Sequence, residues 1–128
     1  MGKIELTGKV CSGQGGGKKF LELPWVRQQM QQKLGFTPYP GTLNLKLSPQ
    51  SVQSRGMIEK KAVLKICPQK NYCEGTLFKA FVGAYKCAVV IPKVENYPED
   101  LLEVVASSNL RDELRLKNGD NVTVTLDV

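Results

Sequence analysis

The stretch Gly41-Thr42-Leu43-Asn44-Leu45 sets the pattern around which the rest of the chain can be arranged. Leucines alternate with polar residues as far as Leu47, and this period of two predicts a strand with one buried face. Thr42 and Asn44 lie two positions apart, so they share the opposite face of that strand. A hydroxyl and an amide oxygen on one face are either ordinary solvated residues or a small polar site.

A second unusual stretch, from Gly13 to Lys19, follows a predicted opening strand from Lys3 to Cys11. Its glycines allow backbone N–H groups to approach an anion closely, beside two ammonium groups. It is not a Walker A loop, because Lys18 is followed by Lys19 rather than by Ser or Thr, and no βαβ unit follows as a dinucleotide fingerprint would require. The stretch is therefore either an anion-binding loop or a hairpin tip.

The size and charge of the chain limit the classes of protein it can belong to. Its 128 residues fit one domain, which we expect to span residues 1–128 and to be a monomer. No apolar run approaches the roughly 18 residues of a membrane span, and the first residues lack a secretory signal. We therefore expect a cytoplasmic protein with no membrane partner. The net charge of +6 favours anionic partners such as nucleotides.

Histidine is absent and there are four cysteines. The lack of histidine excludes histidine acid–base chemistry and histidine metal ligation. No C-x-x-C pair is present, which argues against zinc. Cys11 and Cys87 lie in apolar strand patterns and are expected to be small core residues. Cys67 and Cys73 could close a loop disulfide, an arrangement that the reducing cytoplasm disfavours.

The remaining patterns indicate many short strands. A helix is predicted from Pro24, with an apolar stripe of Val26, Met30 and Leu34 and a stop at Gly35. Phe20 to Leu23 is expected to be extended, Ser48 to Gly56 a polar loop, and residues 110–116 a short helix capped by Ser108 or Asn109. Further strands are predicted at 62–66, 75–82, 87–91, 101–106 (with a helix as the alternative) and 122–126. This order predicts a mostly-β barrel.

Several of these stretches together resemble one known family, the archaeal CTP-dependent riboflavin kinases. The matching segments cover nearly the whole chain and are weakest from Ser48 to Lys70. They are Gly8–Gly13 continuing to Lys18, Phe20–Pro24, Leu34–Leu45, Ala88–Pro92, Leu102–Ala106, Leu110–Arg111 and Leu116–Asp120. The combination of the glycine stretch with Gly41–Leu45 is specific, whereas neither is specific alone.

The resemblance implies a six-stranded cradle-loop (RIFT-type) β-barrel with one or two short helices. It implies phosphate transfer from CTP to riboflavin, giving FMN and CDP. It implies Mg²⁺ held by Thr42 and Asn44. For the transfer itself, our hypothesis is that Lys18 helps to neutralise the phosphate charge and that Glu103 is the best carboxylate candidate to orient the flavin hydroxyl. The resemblance implies nucleotide contacts from two segments. The first comprises Gln14, Gly15, Gly16, Gly17, Lys18 and Lys19, and the second comprises Ser108, Asn109, Leu110 and Arg111.

The resemblance also implies flavin contacts at Glu103 and at the position of Glu95. Members of the family carry Thr where this chain has Glu95, and a carboxylate beside a phosphate product would repel it. Asn96 or Tyr97 are the alternatives for this contact. Family members often carry Glu where this chain has Gly16, which makes the glycine stretch more positive here.

Two other functions remain compatible with the sequence. A basic β-barrel could bind nucleic acid, although the aromatic residues are scattered rather than arranged as a stacking row. A flavin-binding module without transfer activity would differ from a kinase only in catalysis. Under the kinase interpretation the partners are riboflavin and CTP, with no nucleic acid.

Overall fold

The computed structural model of this chain describes residues 3–13, 21–59, 64–67, 75–93 and 95–127. Within these ranges the chain forms seven strands and three helices. In chain order they are β1 (Lys3–Cys11), α1 (Pro24–Leu34), β2 (Leu43–Leu47), α2 (Pro49–Glu59), β3 (Leu64–Ile66), β4 (Gly75–Val82), β5 (Tyr85–Pro92), β6 (Leu101–Ala106), α3 (Leu110–Glu113) and β7 (Asn121–Asp127).

Six of the strands close into an antiparallel barrel. Their order is β4-β5-β6-β2-β1-β7, and pairing between β7 and β4 completes the ring. β3 pairs with β4 as an additional antiparallel strand. The expected six-stranded, mostly-β barrel is therefore confirmed, with one strand more than the barrel itself needs.

The alternation along the strands fills the barrel interior. Leu43, Leu45 and Leu47 of β2 are all buried and belong to one cluster with Leu102 and Val104 of β6. Burial of this apolar surface is the main favourable contribution to folding, at about 25 cal/mol per Å². The residues between them, including Asn44, lie on the outer face of the barrel.

Helix α1 covers part of that outer face. It begins at Pro24 and ends before Gly35, whose φ of 81° is the left-handed conformation that favours glycine. Val26, Met30 and Leu34 are buried. They form a second apolar cluster with residues on the outer faces of β5 and β6. The predicted helix and its apolar stripe are confirmed.

The prediction of a polar loop from Ser48 to Gly56 is wrong, because most of this segment belongs to α2. Ser48 Oγ accepts a hydrogen bond from the backbone N–H of Ser51 at 3.3 Å, which caps the helix. The buried face of α2 carries Ser51 and Arg55 beside Ile58, and these are 6%, 4% and 0% exposed. Two polar residues on the buried face hid the helical periodicity of apolar residues.

Smaller differences occur elsewhere in the chain. Leu21 and Glu22 are helical rather than extended, and the buried Leu21 joins the cluster under α1. Helix α3 ends at Glu113, three residues earlier than predicted. The segment at 101–106 is a strand, so the alternative of a short helix is excluded.

The cysteines differ in their environments. Cys87 is buried in the barrel core, and burial raises the pKa of its thiol to about 12. Cys11 is only half-buried on the outer face and pairs with Asn44, so its expected core position is wrong. Cys67 is disulfide-bonded, contrary to the expectation from a reducing compartment. Position 73 lies outside the described residues.

None of the helices in the described parts of the chain combines the length and the apolar character needed to cross a membrane.

The close approach of β1 to β2 at Gly8 generates a test of the fold. A Cβ at Gly8 would lie 2.8 Å from the backbone oxygen of Lys46. Gly8→Ala should therefore lower the free energy of unfolding by about 1–3 kcal/mol, because the two strands must separate. Urea unfolding followed by circular dichroism measures this change.

Gly56→Ala is the matched control, because a Cβ at Gly56 meets no atom within 4 Å. In this helical position alanine should raise the free energy of unfolding by about 0.5–1 kcal/mol. A Gly8→Ala protein as stable as the unchanged protein would contradict the observed strand packing.

Candidate functional site

Three polar side chains meet on the outer face of the barrel where β2 lies beside β6. Asn44 and Glu103 are directly paired across these strands. Thr42 stands just before β2, after a turn that is fixed to β6 by the hydrogen bond from the Tyr39 N–H to the Ala106 carbonyl (2.7 Å). The backbone therefore brings together residues that lie 61 positions apart in the sequence.

Hydrogen bonds set the direction of each group in this cluster. The hydroxyl of Thr42 donates to Glu103 Oε1 at 3.3 Å. The Asn44 amide nitrogen donates to the Thr42 carbonyl at 3.2 Å, so the Asn44 oxygen points the other way. Thr42 Oγ1 and Asn44 Oδ1 lie 3.5 Å apart. Two neutral oxygens thus face the same small volume beside a carboxylate.

The beginning of the glycine stretch lies directly against this cluster. A Cβ built on Gly13 would be 2.5 Å from Asn44 Nδ2 and 2.9 Å from Asn44 Oδ1. A Cβ at this position would overlap the Asn44 amide, so any residue other than glycine requires that amide to move. The chain therefore leaves β1 at the polar cluster.

The other predicted residues of the glycine stretch, from Gln14 to Lys19, lie outside the described residues. This group includes the predicted catalytic Lys18. Their proposed contacts with a nucleotide stay predictions.

Tyr97 supports Glu103 from the opposite side. Its hydroxyl donates to Glu103 Oε2 at 2.5 Å. Burial raises the pKa of Tyr97 well above its ordinary value, and the hydrogen bond to Glu103 and the charge of Glu103 act in the same direction, while Arg55 opposes them. Tyr97 therefore stays protonated and remains a donor at physiological pH.

Arg55 of α2 holds the loop that carries Tyr97. Its guanidinium carbon lies 5.5 Å from the centre of the Tyr97 ring, within the range of a cation–π contact. Its Nη1 donates to the carbonyl oxygens of Pro98, at 3.0 Å, and Glu99. Sequence reasoning missed Arg55, because an arginine in an apparently polar loop gives no signal of burial.

A cleft of about 990 Å³ opens beside Tyr97. Its walls come from α2, from β3 and adjoining ends of β4 and β5, and from the loop before β6. Apolar and charged side chains share these walls, among them Val52, Arg55, Lys65, Ile91, Glu95 and Tyr97. Tyr97 thus lines the cleft and also contacts the polar cluster through Glu103. The predicted flavin contact Glu95 is exposed and lines the cleft.

The second predicted nucleotide segment lies at the start of α3. Asn109 caps this helix by accepting hydrogen bonds from the N–H groups of Arg111 (3.1 Å) and Asp112 (3.3 Å). The side chain of Leu110 is buried in the inner core. A ligand here would therefore meet backbone groups or the half-buried side chains of Ser108 and Arg111.

The pKa of Cys11, which pairs with Asn44, is shifted by its surroundings. The pKa of Cys11 is raised, first by burial and then by the Asp100 carboxylate, whereas Lys46 and Arg111 act to lower it. Lys46 follows Asn44 by two residues in β2 and therefore shares its outer face. Its positive charge would favour an anion there.

Within the described ranges, no three or more His, Cys, Asp and Glu side chains come together as a metal-binding group. A cation at this site would rely on the oxygens of Thr42 and Asn44. Such a donor set suits Mg²⁺, which prefers oxygen ligands and usually takes the others from water and substrate phosphates. Ligands at about 2.1 Å at right angles are about 3 Å apart, so the two oxygens, which are 3.5 Å apart, would have to move together by about 0.5 Å to bind the ion.

Comparison with known proteins shows which family the sequence belongs to. The sequence profile of the family named CTP-dep_RFKase, described as domain of unknown function DUF120, matches residues 10–126. The chain belongs to the CTP-dependent riboflavin kinase family. The matched range contains Gly13, Thr42, Asn44, Tyr97 and Glu103.

Curated relatives of this riboflavin kinase family are similar over almost the whole chain. A riboflavin kinase of Methanosarcina barkeri is 38% identical over 96% of this chain and 56% of its own length. One from Ignicoccus hospitalis is 40% identical over 94% of this chain and 70% of its own. One from Archaeoglobus fulgidus is 38% identical over 96% and 54%. The chain thus spans little more than half of two of these relatives.

The contact between Gly13 and Asn44 predicts a local effect of substitution. Gly13→Ala should displace the Asn44 amide, because the added Cβ would overlap it. The chemical shifts of the Asn44 side-chain NH₂ group should change, while the free energy of unfolding changes by no more than about 0.5 kcal/mol, since a flexible side chain absorbs the overlap. NMR spectroscopy and urea unfolding measure the two effects.

Ser12→Ala is the control for this substitution. Ser12 is exposed and accepts a hydrogen bond from Asn118 at 3.2 Å. It should leave the Asn44 NH₂ signals unchanged. Equal shifts from both variants would show that Gly13 has no specific contact with Asn44.

Proposed function

We propose that this chain is a riboflavin kinase that transfers the γ-phosphate of CTP to the 5′-hydroxyl of riboflavin, giving FMN and CDP. The observation that carries this proposal is the meeting of Thr42, Asn44 and Glu103 beside Gly13. The pairing of β2 with β6 joins the predicted cation ligands to a predicted flavin contact, at the point where the glycine stretch begins. The names of the relatives support the same activity.

The donor set of the polar cluster fits a magnesium–nucleotide complex. Thr42 and Asn44 would hold Mg²⁺ through their side-chain oxygens, and the bound ion would neutralise charge on the phosphates. Lys46 shares the outer face of β2 with Asn44 and adds positive charge there. Lys18 and the backbone of Gln14 to Lys19 are proposed to hold the phosphates, and Ser108 to Arg111 the cytidine.

The cleft beside Tyr97 is proposed to receive the flavin ring. Its volume of about 990 Å³ falls within the range typical of small-molecule sites. Apolar walls such as Val52 and Ile91 suit the faces of the ring, and the charged groups suit its polar edge. Tyr97 joins the cleft to Glu103, so a ribityl chain leading from the cleft would bring its terminal hydroxyl to Glu103.

Phosphoryl transfer needs mainly positioning and neutralisation of charge. In this proposal Glu103 accepts a hydrogen bond from the riboflavin hydroxyl and orients its oxygen toward the γ-phosphorus. In the transfer the hydroxyl oxygen forms the new P–O bond, the bond from the γ-phosphorus to the bridging oxygen breaks, and CDP leaves with that electron pair. The hydroxyl proton passes to Glu103 or to water.

Residues 1–128 are proposed to form one catalytic domain. The family profile covers residues 10–126, and one closed barrel accounts for most of the described strands.

FMN formation from riboflavin with CTP, ATP, GTP and UTP, each with and without Mg²⁺, tests the proposal. We expect FMN with CTP and Mg²⁺. If FMN forms with ATP but with none of the other three nucleotides, the protein is a riboflavin kinase, but CTP is not its phosphate donor. No FMN with any donor, together with tight riboflavin binding, would indicate a flavin-binding module, and steeply salt-dependent binding of random oligonucleotides would favour a nucleic-acid-binding barrel.

Asn44→Ala should lower turnover about a hundredfold, because the site loses one of two oxygen ligands for the cation. Riboflavin affinity should change little, since Asn44 is not among the residues lining the cleft. Steady-state rates at several Mg²⁺ concentrations and fluorescence titration of riboflavin measure the two quantities.

Asn121→Ala, an exposed asparagine at the start of β7, is the matched control and should behave as the unchanged protein. Unchanged turnover of Asn44→Ala at saturating Mg²⁺ would remove Asn44 from the site.

A further inference from the structure

Tyr97, Glu103 and Thr42 form a continuous chain of hydrogen bonds across the candidate site. The Tyr97 hydroxyl donates to one oxygen of Glu103, and the Thr42 hydroxyl donates to the other, with separations of 2.5 Å and 3.3 Å. Each carboxylate oxygen therefore has its own donor. The orientation of the carboxylate is fixed at both ends.

The Thr42 hydroxyl has one proton and two neighbouring acceptors. Glu103 Oε1 is at 3.3 Å and Asn44 Oδ1 is at 3.5 Å. The carboxylate is the closer acceptor and makes the stronger, charge-assisted hydrogen bond. With its proton directed to Glu103, Thr42 presents oxygen lone pairs toward the volume that the Asn44 oxygen also faces.

Arg55 keeps Tyr97 in place through the backbone and through the ring. Its side chain is 4% exposed, it binds the carbonyl groups of Pro98 and Glu99, and its guanidinium lies over the Tyr97 ring. A buried arginine bound to two carbonyl groups is a rigid support. The loop residue Tyr97 is thereby attached to α2, outside the barrel.

From this arrangement we propose that Tyr97 is a positioning residue for the cation of the proposed kinase. It holds Glu103 so that Glu103 accepts the hydrogen bond from the Thr42 hydroxyl, which leaves the lone pairs of the Thr42 oxygen free to bind the metal ion. Residues that orient metal ligands in this way typically change metal affinity by about 10–100-fold when they are removed. The inference rests on the cation site of the proposed function, but not on riboflavin or on turnover.

Tyr97→Phe tests the inference, because it removes only the hydroxyl and keeps the ring against Arg55. Binding of Mn²⁺ in the presence of saturating CDP can be followed by paramagnetic broadening of the Asn44 amide signal in NMR spectra. The variant should need about tenfold more Mn²⁺ than the unchanged protein for equal broadening. In the riboflavin kinase assay its half-saturating Mg²⁺ concentration should rise by a similar factor, while the rate at saturating Mg²⁺ falls much less.

Tyr85→Phe is the matched control, because Tyr85 is exposed at the β4–β5 turn. It should leave Mn²⁺ binding unchanged. Equal Mn²⁺ binding by Tyr97→Phe and the unchanged protein would overturn the inference, as would the absence of broadening at Asn44 in the unchanged protein. Loss of FMN formation with every donor, combined with Mn²⁺ binding that depends on Tyr97, would reject the kinase and retain the inference.

A double-mutant cycle separates positioning through Glu103 from a direct contact of Tyr97 with a substrate. If Tyr97 acts through Glu103, Tyr97→Phe should have little further effect on Mn²⁺ binding in a Glu103→Gln protein. If the two substitutions instead weaken Mn²⁺ binding by independent factors that multiply in the double variant, Tyr97 acts without Glu103 and the inference is overturned.

Discussion

The pairing of β2 with β6 is the constraint on which the candidate site depends. Backbone hydrogen bonds place Asn44 opposite Glu103, while the leucines on the other side of β2 are held in the barrel core. A slip of one residue would turn Asn44 into the core and a leucine into the site. The burial of those leucines therefore stabilises the fold and also keeps the polar cluster in register.

Glu103 occupies the boundary between two different environments on the outer face. On one side it pairs with Val90, which belongs to the apolar cluster under α1, and on the other it pairs with Asn44. A carboxylate at such a boundary needs partners, and Thr42 and Tyr97 supply them. Helix α2 completes the arrangement from outside the barrel, because Arg55 fixes the loop of Tyr97.

The sequence predicted the barrel and the polar face of β2 because both depend on local alternation and on matching segments of a known family. It also predicted α1, where proline, an apolar stripe and glycine agree. It did not predict α2, because Ser51 and Arg55 are buried by forming specific hydrogen bonds rather than by apolar character. The Tyr97–Arg55 contact could not be foreseen for the same reason: it joins two segments that look like solvated loops, and only the fold brings them together.

The neutral side chains of Thr42 and Asn44 suit a cation site that would also have to accept the phosphates of the proposed nucleotide substrate. A pair of carboxylates would bind a divalent ion more tightly, but would also repel the phosphates that accompany it. In the proposed function, Thr42 and Asn44 would add no charge and would leave most of the coordination to water and the nucleotide, so the site would favour the metal–nucleotide complex over either component. Glu103 is nearby, and each of its oxygens already accepts one hydrogen bond from a hydroxyl group, which leaves a second lone pair on each oxygen for a substrate hydroxyl. Glu95 lies in the cleft with Lys65 and Lys93; if the flavin ring binds there as proposed, the charge of Glu95 would act on the ring rather than on the phosphates.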